Sequence, residues 1–278
     1  MTVPRTLPEG LLAGLAVVLA AAYALRRAPD RGLDGGELHR AWLCAALGGV
    51  AGGHALFLAT HGGGSAAEWA RVWSGGQSVF GVLAGAALCG AGYLAARRLP
   101  VLGYADLSPC AAALGYAVAR AGCFLNGDDF GVPSALPWAV RFTPGTDAWA
   151  AHAARGWIGA DAGASLPVHP VQLYLAGAGL GIFLYLHRRR LPRGAALGVA
   201  SLAYGAARFS LEPLRDDFHP VAGPFSLPQL FALALAAGGI ALLATVASTR
   251  AAAGADRGPP RAAPRPLFPV PSPPREAR

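Results

Sequence analysis

Two arginines stand where an apolar helix should carry none. Arg120 lies in the apolar run from about 106 to 125, and Arg208 in the run from about 194 to 213. An Arg at the centre of a membrane span costs roughly 2.5 to 3.5 kcal/mol on insertion scales, so each needs a reason to be there. A guanidinium is a planar fork that donates two parallel hydrogen bonds to phosphate oxygens. Two of them at one depth would clamp an anion, and a phospholipid phosphate is the anion most concentrated beside such a helix. Neutralisation by a neighbour is the other reading. Glu212, one turn beyond Arg208 on the same helical face, is placed to pair with it. That pairing accounts for one arginine and leaves Arg120 over.

Polar residues cluster around both arginines. After Arg120 the chain reads AGCFLNGDDFG, with Asn126, Asp128 and Asp129 set between Gly122, Gly127 and Gly131. Glycines there permit tight turns close to a ligand. The segment VHPVQLY brings His169, Gln172 and Tyr174 to the start of the next apolar run, with Pro170 tolerated in a first helical turn. A His at a helix entrance is either a satisfied interface residue or a base. Tyr204 precedes Arg208 by four residues and shares its face, where it packs or donates to the same ligand.

The elements that must position these side chains follow from composition. In 278 residues, 54% are hydrophobic, 14% are charged and the mean hydropathy is +0.41, which describes a membrane protein and not a soluble domain. A span needs about 20 apolar residues. Seven runs qualify, at about 10 to 25, 40 to 60, 76 to 96, 106 to 125, 168 to 187, 194 to 213 and 226 to 248. The expected fold is therefore all-α, a polytopic membrane protein of seven transmembrane helices.

All 23 basic side chains are Arg. Sixteen of them, including Arg26, Arg27, Arg31, Arg40, Arg97, Arg98, Arg188, Arg189, Arg190 and Arg193, fall in alternate connections and the C-terminal segment. Only Arg5, Arg71, Arg141, Arg155 and Arg215 fall in the others. By the positive-inside rule the N-terminus is outside and the C-terminus cytoplasmic. The first run ends in LAAAYA, as a cleaved signal peptide would, but the positive cluster follows that run instead of preceding it.

Residues 1–250 thus form the membrane domain. The long outer connection at about 126–167 carries Trp138, Trp149 and Trp157, which suit headgroup depth. Residues 251–278 read as a disordered Pro/Arg-rich cytoplasmic tail. A pI near 9.9 would ordinarily raise nucleic-acid binding, yet the arginines punctuate apolar runs, so no nucleic-acid partner is expected. Cys44, Cys89, Cys110 and Cys123 show no paired spacing and read as small buried hydrophobes, with no metal site.

With these residues in place, the chain resembles the prolipoprotein diacylglyceryl transferase family. Three blocks carry the likeness: RAGCFLNGDDFG from Arg120 to Gly131, against the family's GRxGNFxNGExxG; HPVQLY from His169 to Tyr174; and YGAARFSLEPLRDD from Tyr204 to Asp217, against YGxxRFxxEFxR. RVWSGGQSVFGVLAG from Arg71 to Gly85 is a weaker fourth. The resemblance implies an enzyme of the bacterial inner membrane, multi-pass, with its active site towards the outer leaflet. Such enzymes move diacylglyceryl from phosphatidylglycerol to the lipobox cysteine thiol of secreted prolipoprotein precursors and release glycerol phosphate. It further implies that Arg120 and Arg208 hold the phosphate and the charge developing on it. Asn126, Gly131, Tyr204 and Glu212 would shape the headgroup pocket, with Arg215 near its mouth and His169, Gln172 and Tyr174 on its flank. No metal or organic cofactor is implied.

Four departures from the family pattern change its polar chemistry. Phe80 stands in GGQSVFGV where the family's GGMSFHGG has a histidine, Cys123 replaces the first Asn of the signature, Glu9-Gly10 replaces Tyr-Gly, and His54 replaces an Arg. A phenylalanine accepts no proton. A thiol of pKa about 8.5 is a few per cent thiolate at neutral pH, so losing a base costs a factor of roughly 10² to 10⁴ without abolishing reaction. His54, His169 and Glu9 are the groups that could replace it. Beside transfer stand three other readings: transfer to another acceptor, headgroup binding without transfer, and small-molecule transport. The last would call for inverted repeats, and none is evident.

Overall fold

The computed structural model describes residues 2–4, 11–60, 65, 69 and 76–255. The chain is all-helical with a few two- and three-residue strands. Its helices are α1 (Leu11–Arg27), α2 (Gly35–Thr60), α3 (Val79–Ala96), the short α4 (Val101–Ala105), α5 (Leu107–Asn126), the short α6 (Asp147–Ala154), α7 (Val171–Arg188), α8 (Ala195–Leu211) and α9 (Leu227–Ala255). The expected apolar runs all appear as helices. The fourth begins at Asp106, which separates it from the short α4 and whose carboxylate accepts the backbone N–H groups of Gly194 (2.5 Å) and Leu197 (3.0 Å), so capping the start of α8. The last helix runs on to Ala255, because Ala251, Ala252 and Ala253 are strong helix formers.

Among the described residues, three stretches are long and apolar enough to cross a bilayer: Gly35–Thr60, Val101–Asn126 and Leu227–Ala252. Phe80–Ala96 is a shorter apolar helix. The remaining long helices have 17 or 18 residues. At 1.5 Å per residue that is roughly 26 Å, a little under the hydrocarbon thickness of about 30 Å.

Small residues let the helices approach closely. A Cβ on Gly85 would stand 2.0 Å from the Gly48 carbonyl oxygen, and one on Gly81 2.2 Å from that of Gly52. The pairs Gly48/Gly52 and Gly81/Gly85 are spaced four apart, so α2 and α3 cross antiparallel through two GxxxG faces. In hydrocarbon, where helices gain nothing by burying apolar area from lipid, such backbone approach is a main source of association. Helices α8 and α9 meet in the same way, with Gly198 against Gly239 and Gly205 against Ala232. Helix α5 packs between α1 and α7 and also touches α8.

These contacts gather the ends of the helices into two groups. One end holds Arg27, Arg40, Arg97 and Arg188 with their neighbours. There Glu37 accepts hydrogen bonds from Arg40 (2.7 Å), Tyr93 (2.7 Å) and Arg97 (3.3 Å), and Arg27 pairs with Asp30 (2.9 Å). The other end holds the start of α1, the close of α5 and α8, and the starts of α7 and α9. The long connection from 127 to 170 covers it.

That connection folds around its own core of Val3, Phe130, Val140, Phe142, Ala148 and Val168. Strand β1 (Thr2–Val3) pairs parallel with β2 (Arg141–Phe142), and a small antiparallel pair, β3 (Pro220–Ala222) and β4 (Phe225–Ser226), precedes α9. Thr146 caps α6 by accepting from the Trp149 N–H. Trp138 and Trp157 are exposed, while the Trp149 indole donates to the Ala162 carbonyl (2.8 Å).

Candidate functional site

Gly127, left-handed at φ 75°, ends α5. Two residues later Asp129 also sits at positive φ, 52°, a conformation that Asp tolerates better than most residues. The two turns fold the chain back, so that Asp129 reaches an arginine nine residues before it. Arg120 Nη1 donates to Asp129 Oδ2 at 2.5 Å. Arg215 Nη2 donates to the other carboxylate oxygen at 2.6 Å. Arg215 also holds Asp217 through two bonds, at 2.8 and 2.6 Å.

Helix α8 supplies the second half. Arg208 Nη1 donates to Glu212 Oε2, and Ser226 Oγ donates to Glu212 Oε1 at 2.8 Å. Arg215 Nε lies 4.0 Å from Glu212 Oε2 and joins the halves. The result is one chain of alternating charge: Arg120, Asp129, Arg215, Glu212, Arg208. One turn below the arginines, Tyr116 and Tyr204 meet edge to face with ring centroids 5.4 Å apart, and the Arg120 guanidinium lies 5.0 Å over the Tyr116 ring. The tyrosine contact sets α5 and α8 at a common level.

The sequence expectation that one arginine stays over is overturned, because Asp129 takes Arg120. Helical spacing rules find partners three or four residues away. They do not find a carboxylate returned by two left-handed turns.

Gly131 lies where three backbones converge. Its N–H donates to the His169 carbonyl (3.2 Å), and it bridges to Arg215. A Cβ there would meet the His169 and Leu214 carbonyl oxygens at 2.6 and 2.7 Å. Gly131 therefore locks Arg215 and His169 to the end of α5. The His169 ring reaches Tyr174, its Nδ1 lying 3.4 Å from that hydroxyl, and Tyr174 accepts from the Trp138 indole at 2.7 Å. Among the described residues no hydrogen bond carries His169 or Tyr174 into the arginine chain. Gln172 is fully buried and donates to the Asp128 carbonyl at 2.7 Å. Buried oxygens of Asn126, Asp128 and Gln172 have no hydrogen-bond partner among the described residues.

Sequence reasoning gave Asp129, Asp217, Ser226 and Tyr116 no role. The spacing of Tyr116, four before Arg120 as Tyr204 is before Arg208, is a signal that could have found it. Of the departures from the family pattern, Cys123 falls within the site, with its Sγ 3.9 Å from Arg120 Nη1 and 3.8 Å from Asp129 Oδ2. Phe80 packs edge-on against Phe231 of α9, centroids 5.7 Å apart. His54 is buried within α2. Arg5, Glu9, Gly10 and Arg71 lie outside the described residues, as do residues 256–278.

The electrostatics follow from these partners. Burial alone would raise the Asp129 carboxyl, but the hydrogen bond and charge of Arg215, together with Arg120, outweigh it and hold the group below the usual carboxylate range. Arg215 likewise holds Asp217 low. Asp128, buried without such a partner, is pushed up. Three guanidiniums thus face the carboxylates of Asp129, Asp217 and Glu212, and the formal charges of the cluster cancel.

An all-helical protein with three described stretches long and apolar enough to cross a bilayer has the build of an integral membrane protein. The chain is a member of the prolipoprotein diacylglyceryl transferase family, whose profile matches residues 10–245. It is similar to proteins named phosphatidylglycerol–prolipoprotein diacylglyceryl transferase from several bacteria. With that of Symbiobacterium thermophilum it is 34% identical over 63% of this chain and 62% of the relative. With that of Geobacter sulfurreducens it is 36% identical over 57% of each. With that of Bordetella avium it is 30% identical over 85% of this chain and 88% of the relative. The chain thus spans little more than half the length of the first two relatives and most of the third.

Proposed function

We propose that this chain transfers diacylglyceryl from phosphatidylglycerol to the lipobox cysteine thiol of prolipoprotein precursors. One observation carries the reading: Arg120 and Arg208, on neighbouring helices, are joined through Asp129, Arg215 and Glu212 at one end of the bundle. Each of the two guanidiniums spends a single nitrogen on a carboxylate. A guanidinium has five N–H donors, so both retain a free edge for phosphate oxygens.

In the reaction, the thiol sulfur attacks the glyceryl carbon that bears the phosphate ester. A C–S bond forms, the C–O bond breaks, and its electron pair leaves on the phosphate oxygen of glycerol phosphate. Arg120 and Arg208 stabilise the charge gathering there, in a site already oriented before reaction. Asn126, Gly131, Tyr204, Glu212 and Arg215 shape the headgroup pocket, with Gln172 and Tyr174 on its flank. His169 accepts the thiol proton.

Seven helices cross the inner membrane in this reading, with the N-terminus and the site outside and the C-terminus cytoplasmic. The arginine-rich opposite end, at Arg27, Arg40, Arg97 and Arg188, supports that orientation. Phe80, set against Phe231, favours a second reading in which the headgroup is bound without transfer.

Arg120→Ala and Arg208→Ala should each abolish transfer from labelled phosphatidylglycerol to a lipobox peptide. Full activity in either would refute the assigned roles. Growth of cells depleted of their own transferase separates the two readings, since a protein that only binds would express normally and fail to rescue.

A further inference from the structure

The carboxylates of the arginine chain are not equivalent. Glu212 is 4% exposed and is fixed from behind by Ser226. Asp129 is 34% exposed, yet it holds Arg120 with one oxygen and Arg215 with the other. It does so from a left-handed turn, a backbone that Asp adopts more readily than most non-glycine residues. Its position also falls where the signature quoted above leaves the residue open. Charge balance gives a further reason to single it out. Arg120, Arg208 and Arg215 already match Asp129, Glu212 and Asp217, so a phosphodiester entering the cluster would leave it one negative charge in excess unless a carboxylate moved aside. Asp129 is reachable from water and sits on a turn, whereas Glu212 is enclosed.

We infer that Asp129 is an internal counter-anion that holds the Arg120 guanidinium, with Arg215 on its other oxygen, and is displaced from Arg120 when a headgroup phosphate binds, so that it sets the affinity of the site for phosphate. The inference rests on the proposed headgroup site and concerns what fills that site beforehand. A carboxylate makes charge-assisted hydrogen bonds to guanidiniums, and a phosphodiester, which carries the same single charge, takes its place on Arg120 without altering the charge there, while a monoester such as glycerol phosphate brings close to one charge more. Neutralising the side chain therefore removes a competitor. Each affinity is reduced by the fraction of sites in which Arg120 is already taken.

Two probes test this with the full-length protein in detergent: sn-glycerol 1-phosphate as the free phosphate, and phosphatidylglycerol in nanodiscs as the lipid. Asp129→Asn keeps the shape and loses the charge, while Asp129→Ser loses both, and either variant serves if the other does not reach the membrane. The dissociation constant for both probes should fall by about fivefold, the equivalent of releasing one partly exposed ion pair. Asp129→Glu, which keeps the charge, should bind as the parent does. If only the lipid binds more tightly, displacement needs the acyl chains as well, and the inference holds for the lipid source. Unchanged or weaker binding of both probes in the neutral variants would overturn it, because Asp129 would then serve only to position Arg120 and Arg215. Binding is read without turnover. A parent protein that binds and never transfers refutes the proposed reaction and leaves this inference standing, whereas one that transfers normally while the neutral variants bind no better refutes the inference alone.

Discussion

Glu212→Gln removes one charge and leaves the shape almost intact. Arg208 would then point a guanidinium that is only 12% exposed at a neutral amide, with Arg215 Nε still 4.0 Å from the lost carboxylate position. Breaking a buried pair costs roughly 3 to 5 kcal/mol, because the surviving charge stays buried and uncompensated. Arg208 lies within a turn of the end of α8, where some water reaches it, so the lower figure, about 3 kcal/mol, is expected. For a domain of this size that lowers the melting temperature by about 6 to 12 °C. Replacing both partners, Arg208→Gln with Glu212→Gln, removes the stranded charge and should recover most of the loss. Thermal unfolding in detergent, run on both single variants and the double variant, gives the coupling directly. The reasoning fails if Glu212→Gln alone shifts the midpoint by less than about 2 °C, or if the double variant is no more stable than the single.

Two further outcomes are expected. Gly85→Val would drive a side chain into the Gly48 carbonyl and should destabilise by about 3 kcal/mol or more, while Gly92→Ala, where a Cβ meets nothing within 4 Å, should stabilise by up to about 1 kcal/mol; unfolding in detergent compares them. His152 is buried in the 127–170 cap, and burial holds its ring below the ordinary value despite the opposing charge of Asp216. A His depressed in this way contributes stability above its unfolded pKa of about 6.5 and loses it as pH falls through the folded value. The protection factors of amides in the cap, which divide out the base-catalysed intrinsic exchange rate, should therefore fall as pH is lowered from about 7 to about 5, and His152→Gln should flatten that dependence.

Helix positions were open to sequence reading because long apolar runs interrupted by arginines leave few alternatives. The role of Asp106 at the start of the fourth run was hidden, since nothing local announces that its carboxylate caps a helix starting at residue 195. At the site, Arg120, Arg208 and Glu212 could be named from type and spacing alone. Asp129 could not, because its partner is set by backbone dihedrals at residues 127 and 129. Gly131 was named for a pocket, and the structure adds that the space its missing Cβ leaves is taken by His169 and Leu214. Gln172 was read as flank polarity, and its bond to the Asp128 carbonyl depends on a loop fold that no periodicity encodes.

The two arginine helices differ in how each becomes fit for lipid. Helix α8 carries its own counter-ion one turn ahead, so its arginine is electrically balanced as soon as the helix forms. The arginine of helix α5 is not, since Asp129 lies beyond the helix end and comes to Arg120 only after the chain has reversed at Gly127. Until that reversal is made, the membrane must tolerate a bare cation, at about 2.5 to 3.5 kcal/mol. The electrical balance of α5 is accordingly in the hands of the three residues from Gly127 to Asp129, and a change that opened that reversal would leave its arginine without the carboxylate.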